Sequence, residues 1–378
     1  METPRCPRCG GEMRKNGRTS AGRTRWRCKD TGCGASRSRS YARGADDVRA
    51  FLDWLLSADT QEERGVSART PRRRNELAWS LWPPCPMDGQ IHDVVHLDGI
   101  HLGRKAVVPI AYAGGHVIGW YVARRETSAG WMSLMARIAE PVVVVCDGAG
   151  GIHKALRHAW PHARVQRRLL HICLNIGTLP GRKPRYEASR QLLHLTGELT
   201  RVRDGDGMVA WLGAYNAWEM RHRDFLEQRS TWSGGSENDL HQRLVKARNI
   251  MRRRIRERTM FTFMDPELGI GTPVPTTNNA IESQNARIRA MLRDHRGLCL
   301  IRRIKAVCWW CHQHTEHPES PAWLARHAWR DEQIEQLYRQ AWEHSDEGQQ
   351  ALLGIPARYG TGIDWNEFHT RTPWHETD

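Results

Sequence analysis

The sequence predicts an α/β protein built in more than one domain, and three observations carry that prediction. Four valines, Val142 to Val145, run into Cys146-Asp147-Gly148, the pattern of a strand buried on both faces that stops at a carboxylate. Upstream lie three further strand-like segments, two of them joined by a Gly114-Gly115 turn, while helical spacing dominates the chain downstream. At 378 residues the chain is also longer than a usual single domain.

Composition narrows the partner. A formal charge of +15, from 57 Lys and Arg against 42 Asp and Glu, points to a polyanion, and nucleic acid is the usual one. Arginine dominates the basic set, which suits bidentate phosphate contacts. No apolar run reaches the length of a membrane span, so no membrane is expected. No apolar segment follows Met1, so no secretory signal is expected either. The expected setting is a reducing cytoplasm, with nucleoid association when bound to DNA. There ten cysteines are read as ligands or core residues rather than disulfides.

Residues 1–44 predict a zinc ribbon. Cys6-Pro7-Arg8-Cys9 and Cys28 to Cys33 supply two thiolate pairs, four soft ligands for a tetrahedral Zn²⁺. Arg14, Lys15, Arg18, Arg23, Arg25, Trp26 and Arg27 form a basic arm between the pairs. Residues 45–84 predict a helix-turn-helix region: an amphipathic helix over 46–56, and then within 60–74 a short helix, a turn at Gly65, a capping Ser67 and a basic helix. Arg69, Arg72, Arg73 and Arg74 would face DNA, and Pro71 fits the first turn of that helix. Pro83-Pro84-Cys85-Pro86 then marks a boundary.

From residue 90 to 310 the pattern is that of a catalytic core. Strands are expected at 91–100, 105–113 and 116–123, a helix at 128–139, and then the valine strand. Asp98 lies in the first strand and Asp147 ends the fourth. If those strands are neighbours, both carboxylates meet at one edge, the shape of a ribonuclease-H-like core that holds divalent metal. Taken alone, Asp147 serves as well to cap a helix beginning near Ile152. The glycines after it would leave room for a DNA phosphate.

A helical insertion is expected over about 175–270, with no strand-like run in 182–260. Trp211, Tyr215 and Trp218 form an aromatic stripe read as core. Arg252, Arg253 and Arg254 belong to a basic helix suited to a phosphate backbone. Next, Thr276 to Asn285 opens a helix carrying Glu282, which is either half of a capping box with Asn279 or a third carboxylate for the site. Arg287, Arg289 and Arg293 would lie beside bound DNA. Cys308-Trp309-Trp310-Cys311-His312 has the spacing of a haem attachment site, but an amphipathic helix is the better reading. Residues 311–378 are expected as a mostly helical tail.

Together Leu97-Asp98-Gly99, Cys146-Asp147-Gly148 and Thr276-Thr277-Asn278-Asn279-Ala280-Ile281-Glu282-Ser283-Gln284-Asn285 resemble bacterial insertion-sequence transposases of the Mutator-like DDE superfamily. The resemblance covers most of residues 1–310. It implies that Asp98, Asp147 and Glu282 hold Mg²⁺ or Mn²⁺, that Asn278, Asn279 and His171 are accessory, and that the upstream modules recognise element ends. Arg168 stands where that family usually has a cysteine three residues before the histidine, and Cys173 lies beyond it. The implied activity is metal-dependent cleavage of DNA at terminal inverted repeats, followed by joining to target DNA. A homodimer is expected because two ends must be paired, and no small-molecule substrate is. Two alternatives remain from sequence: a sequence-specific DNA-binding regulator without catalysis, and a structure-selective nuclease of the same core.

Overall fold

The computed structural model describes residues 5–336, apart from 7, 21, 23, 39–43, 58–68, 149, 182, 232–236 and 335. The N-terminal module is a small antiparallel sheet of β1 (Met13–Arg18), β2 (Thr24–Cys28) and β3 (Ser36–Ser38), in that order. It has little apolar core: Met13, Cys6 and Cys28 are its buried residues, with Trp26 packed beside them. Arg23 of the predicted basic arm lies outside the described residues.

Two helices follow, α1 (Gly44–Leu56) and α2 (Arg69–Ser80). They form where the helix of 46–56 and the basic helix were expected, while the short helix expected between them lies outside the described residues. Gly65 and Ser67, on which the turn was read, lie outside the described residues, as do the side chains of Arg69, Arg72, Arg73 and Arg74. The apolar face of α1, with Val48, Phe51, Leu52 and Leu55, joins Trp79 of α2 in one cluster with Ile100, Val108 and Ile110. The pair is thus packed on the central domain through ordinary side-chain burial. A short strand, β4 (Leu81–Trp82), ends the segment.

The central sheet is mixed. It comprises β5 (Val94–Leu102), β6 (Ala106–Ala113), β7 (His116–Trp120), β8 (Val143–Cys146) and β9 (Arg164–Arg167). Their spatial order is β7-β6-β5-β8-β9; β5, β6 and β7 pair antiparallel, while β8 runs parallel to both β5 and β9. The parallel pairs need crossovers, and the helices α3 (Ser128–Met135) and α4 (Gly150–Ala159) supply them. Both pack on one face with Trp131, Leu134, Ile152 and Leu156 against Val95, Leu97 and Val144. With a helical layer on each face, the all-buried valines of β8 and the eight buried residues of β6 follow directly.

Beyond β9 comes the helical insertion: α5 (Leu169–Gly177), α6 (Glu187–Leu199), α7 (Gly205–Arg221), α8 (Arg223–Leu226) and, after a hairpin, α9 (Gln242–Arg256). It has its own core, in which Trp211, Tyr215 and Trp218 are buried, as the aromatic stripe predicts. The hairpin is a correction. β10 (Arg229–Thr231) and β11 (Glu237–Asp239) pair where only helix was expected, in segments too short to show strand alternation.

The second face of the sheet is closed by α10 (Asn279–Asp294) and α11 (Leu300–Gln313). Cys308, Cys311 and His312 are buried in α11, so the apparent haem motif is core. Finally α12 (Pro321–His327), started by Pro321 and capped by Ser320, leads to β12 (Trp329–Arg330), which pairs with β4. Lys305 lies beneath this junction, 1% exposed. Its Nζ donates to the Asp331 carboxylate at 2.6 Å and to the Trp79 carbonyl at 2.5 Å. Leu337, Trp342 and the rest of the predicted tail lie outside the described residues.

Candidate active site and cysteine cluster

The register of β5 on β8 decides where the two aspartates stand. Leu97 pairs with Cys146, so Asp98 and Asp147 occupy the next positions on neighbouring parallel strands. Side chains alternate along strands, and both belong to the row of Val94, Val143 and Val145, the face opposite Leu97 and Cys146. Asp98 is half-buried and its carboxylate accepts from the Gly99 N–H and from Asn285 Nδ2, each at 2.8 Å. Burial raises the pKa of Asp98 and the negative charge of Asp147 adds to the rise, against these two donors. Asn285 is fully buried, and its Oδ1 has no hydrogen-bond partner in the structure.

The third carboxylate sits on the first turn of α10. Asn278, rather than Asn279, is the N-cap, and no side-chain bond caps the helix. Asn278 is buried and instead holds the first strand: its Oδ1 meets His96 Nδ1 at 2.7 Å, and its Nδ2 donates to the Leu97 carbonyl at 3.3 Å. Asn279 is exposed. The capping-box reading of Glu282 therefore fails, and its carboxylate pairs with the guanidinium of Arg168. Among the described residues only the four cysteines bring three or more ligating atoms within 4.8 Å of one another. Asp98 and Asp147 are thus near neighbours, while Glu282 is turned towards Arg168.

Sequence reasoning missed two residues here. Glu126, in the turn before α3, is pushed above its ordinary pKa by burial, then by repulsion from Asp147 and, more weakly, from Asp98. It accepts from Trp131 Nε1 at 3.3 Å and lies 3.4 Å from His101 Nε2. A lone Glu in a polar loop has no spacing that could have marked it. The other is Arg167. Gly148 has φ of +75°, and a Cβ there would coincide with the Arg167 guanidinium. The space directly over Gly148 is thus taken by the Arg167 guanidinium.

A cleft of about 270 Å³ opens beside Asp147, with Arg167, His171, Lys246 and Arg254 in its walls. His171 therefore does face the site, whereas Cys173 donates to the Thr196 carbonyl at 2.8 Å inside the helical insertion. The basic helix α9 has more counter-charge than its sequence suggests: Arg252 pairs with Glu219 at 2.5 Å, and Arg253 and Arg254 with Glu257 at 2.7 and 2.9 Å. Arg287 and Arg289 are exposed on α10.

The N-terminal cysteines behave as one set. Cys6 and Cys33 sulfurs lie 3.7 Å apart, and those of Cys9 and Cys28 3.5 Å. Four thiolates about 2.3 Å from a tetrahedral Zn²⁺ would be separated by roughly 3.8 Å, so the cluster could hold zinc. The backbone N–H groups of Arg8 and Cys9 lower the Cys6 thiol to about 7, which favours the ligating thiolate.

Residues 106–196, from β6 into α6, match the family described as Transposase, Mutator family. That segment contains Asp147 and His171. The chain is also 26% identical over 268 residues to a probable transposase for insertion sequence element from Corynebacterium diphtheriae, covering 66% of this chain and 68% of that protein. Among the described residues no helix is long and apolar enough to cross a membrane. The matched segment and this relative both agree with the resemblance to the Mutator-like insertion-sequence transposases, and of the three carboxylates the matched segment contains Asp147.

Proposed function

We propose that this protein is a DDE transposase with a ribonuclease-H-like core, which cleaves DNA at insertion-sequence ends and joins the freed 3′-OH ends to target DNA. The observation that carries the reading is the register that sets Asp98 beside Asp147 under α10, the helix bearing Glu282. Hard carboxylate oxygens suit Mg²⁺ or Mn²⁺, and the unpartnered Asn285 Oδ1 next to Asp98 is a polar atom left for a bound group or its water. Two such cations, when bound, would activate the attacking oxygen and neutralise the leaving one.

Asp98 and Asp147 would anchor the cations, and Glu282 would join them after leaving Arg168. Asn285 orients the Asp98 carboxylate, and Asn278 fixes the strand that carries it. In the first step water attacks the phosphodiester at the element end, its P–O3′ bond breaks, and the 3′-OH is released. In the second, that hydroxyl attacks a target phosphodiester and displaces a new 3′-OH. The zinc ribbon and the α1–α2 pair, read as a helix-turn-helix, would grip the ends, and two protomers would pair them.

The test is cleavage and joining of DNA carrying the flanking terminal repeats, with Mg²⁺. Glu282→Gln and Asp147→Asn are expected to abolish both steps while end binding persists. Cleavage surviving in either variant rules out the site.

A further inference from the structure

Arg167 is a buried charge without a hydrogen-bonded partner for its guanidinium. It closes β9 at 4% exposure, and among the described residues no hydrogen bond or ion pair reaches its guanidinium. Arginine stays protonated in proteins, so burial here carries a full positive charge into a poorly solvated place. Burial lowers its pKa, and the nearby Arg254 pushes in the same direction, against Cys146 and the carboxylates of Asp147 and Glu257. The Gly148 backbone sets the position, because any side chain at 148 would occupy the guanidinium's space. The charge is not stranded in the core, however, since Arg167 lines the cleft beside Asp147.

The opposite wall follows from the helical repeat of α9. Lys246, Ile250 and Arg254 recur every fourth residue and all face this cleft. Lys246 is exposed at its mouth. Arg254 is shared with Glu257, which also holds Arg253. A ligand entering the cleft thus meets three cations and the carboxylate of Asp147, with His171 alongside. About 270 Å³ is several times the ~30 Å³ share of a water, enough for a phosphate group.

We propose that this cleft is a phosphate-binding site in which Arg167, Lys246 and Arg254 grip one backbone phosphate of the DNA strand lying across Asp147. The inference rests on the transposase reading for the source of the phosphate, but its residues lie outside the three carboxylates. Arg167 is the fixed anchor, because its guanidinium is already immobilised on Gly148 and spends little rotamer freedom on binding. Lys246 and Arg254 close over the phosphate from α9. By this account the insertion helix holds the strand through an inward face, while Arg252 and Arg253 are engaged with Glu219 and Glu257.

The experiment is an anisotropy titration of the full chain with a fluorescein-labelled duplex oligonucleotide across a series of salt concentrations, with catalysis blocked by omitting divalent metal. Lys246→Gln, an exposed change that preserves the fold, is expected to bind about tenfold more weakly and to reduce the slope of log K against log salt by about 0.9, one phosphate contact. Arg167→Gln, with folding checked by circular dichroism, should do the same. Unchanged affinity and slope in Lys246→Gln overturn the proposal, and the cleavage test of Glu282→Gln still decides the transposase reading separately. A second arm measures thermal stabilisation by inorganic pyrophosphate. Stabilisation that is lost in Lys246→Gln, in a wild-type protein that binds no duplex, assigns the cleft to a free phosphate and removes the DNA source.

Discussion

Arg168 forms an ion pair with Glu282 and so ties the start of α5 to the first turn of α10. The pair is only partly exposed, and Arg168 Nε is buried without a hydrogen-bond partner. A cation in contact with a proposed metal-binding carboxylate competes with the metal for it. Arg168→Ala is therefore expected to raise divalent affinity, by about tenfold for one near charge removed. Mn²⁺ titration followed by electron paramagnetic resonance reads this without any turnover. An unaltered dissociation constant would show that Arg168 and the metal do not share Glu282.

Asn285 offers a second test of the same site. Its Nδ2 is one of two donors to Asp98, whose pKa burial already raises. In Asn285→Ala the carboxylate loses orientation and becomes harder to ionise. Supporting residues of this kind typically cost 10–100-fold in metal affinity or activity, and a loss of about that size is expected in the Mn²⁺ titration. Wild-type affinity in a folded Asn285→Ala protein would remove Asn285 from the site.

The cysteine cluster makes a metal prediction that is independent of catalysis. With Met13, Cys6 and Cys28 as its buried residues, the ribbon has too little apolar core to hold three strands unaided. Cys6→Ser with Cys9→Ser should release zinc and unfold this sheet while leaving the central domain folded. Elemental analysis showing undiminished zinc in the double variant would refute the assignment.

Stability should also depend on pH through His312. This histidine is 2% exposed, and burial lowers its pKa from 6.5 to about 4. Its Nε2 accepts the Glu319 N–H, which requires the neutral ring. Between those two values the unfolded chain binds the proton and the folded one does not, so folding loses ground as pH falls. The contribution is complete above about pH 6.5 and is lost progressively towards pH 4. It amounts to about 3 kcal/mol for a shift of that size. Urea unfolding at pH 7 and pH 5 measures it, and His312→Gln should flatten the slope. An equal slope in both proteins would place the pH sensitivity elsewhere, with the buried His96 the next group to test.

The parts legible in the sequence are those written in local pattern. Valines at 142–145 declare a buried strand, the cysteine pairs declare a ribbon, and Asp98, Asp147 and Glu282 emerge from short motifs at strand ends and a helix start. What stayed hidden is written between distant segments. Nothing near Arg168 announces Glu282, and nothing near Gly148 announces the guanidinium of Arg167. Glu126 reaches the aspartates only because α3 crosses back over the sheet. The hairpin of β10 and β11 is too short to alternate, and the counter-charges of α9 come from α7 and from the residue just past its own end. Asn278 stands at the start of a helix in the sequence, yet its side chain serves the strand at His96 and Leu97.

Trp329 and Arg330 pair with Trp82 and Leu81, and Asp331 accepts the Trp82 indole N–H at 2.8 Å as well as the Lys305 ammonium. The strand that latches α2 to the domain is therefore synthesised long after α2 itself. Until then Lys305 lacks its carboxylate, and an uncompensated buried charge of that kind costs about 3–5 kcal/mol. A gene copy interrupted ahead of codon 329 would encode every proposed catalytic carboxylate and still yield a protein that is open at this seam. Damage to the fold can thus begin well downstream of the proposed active site.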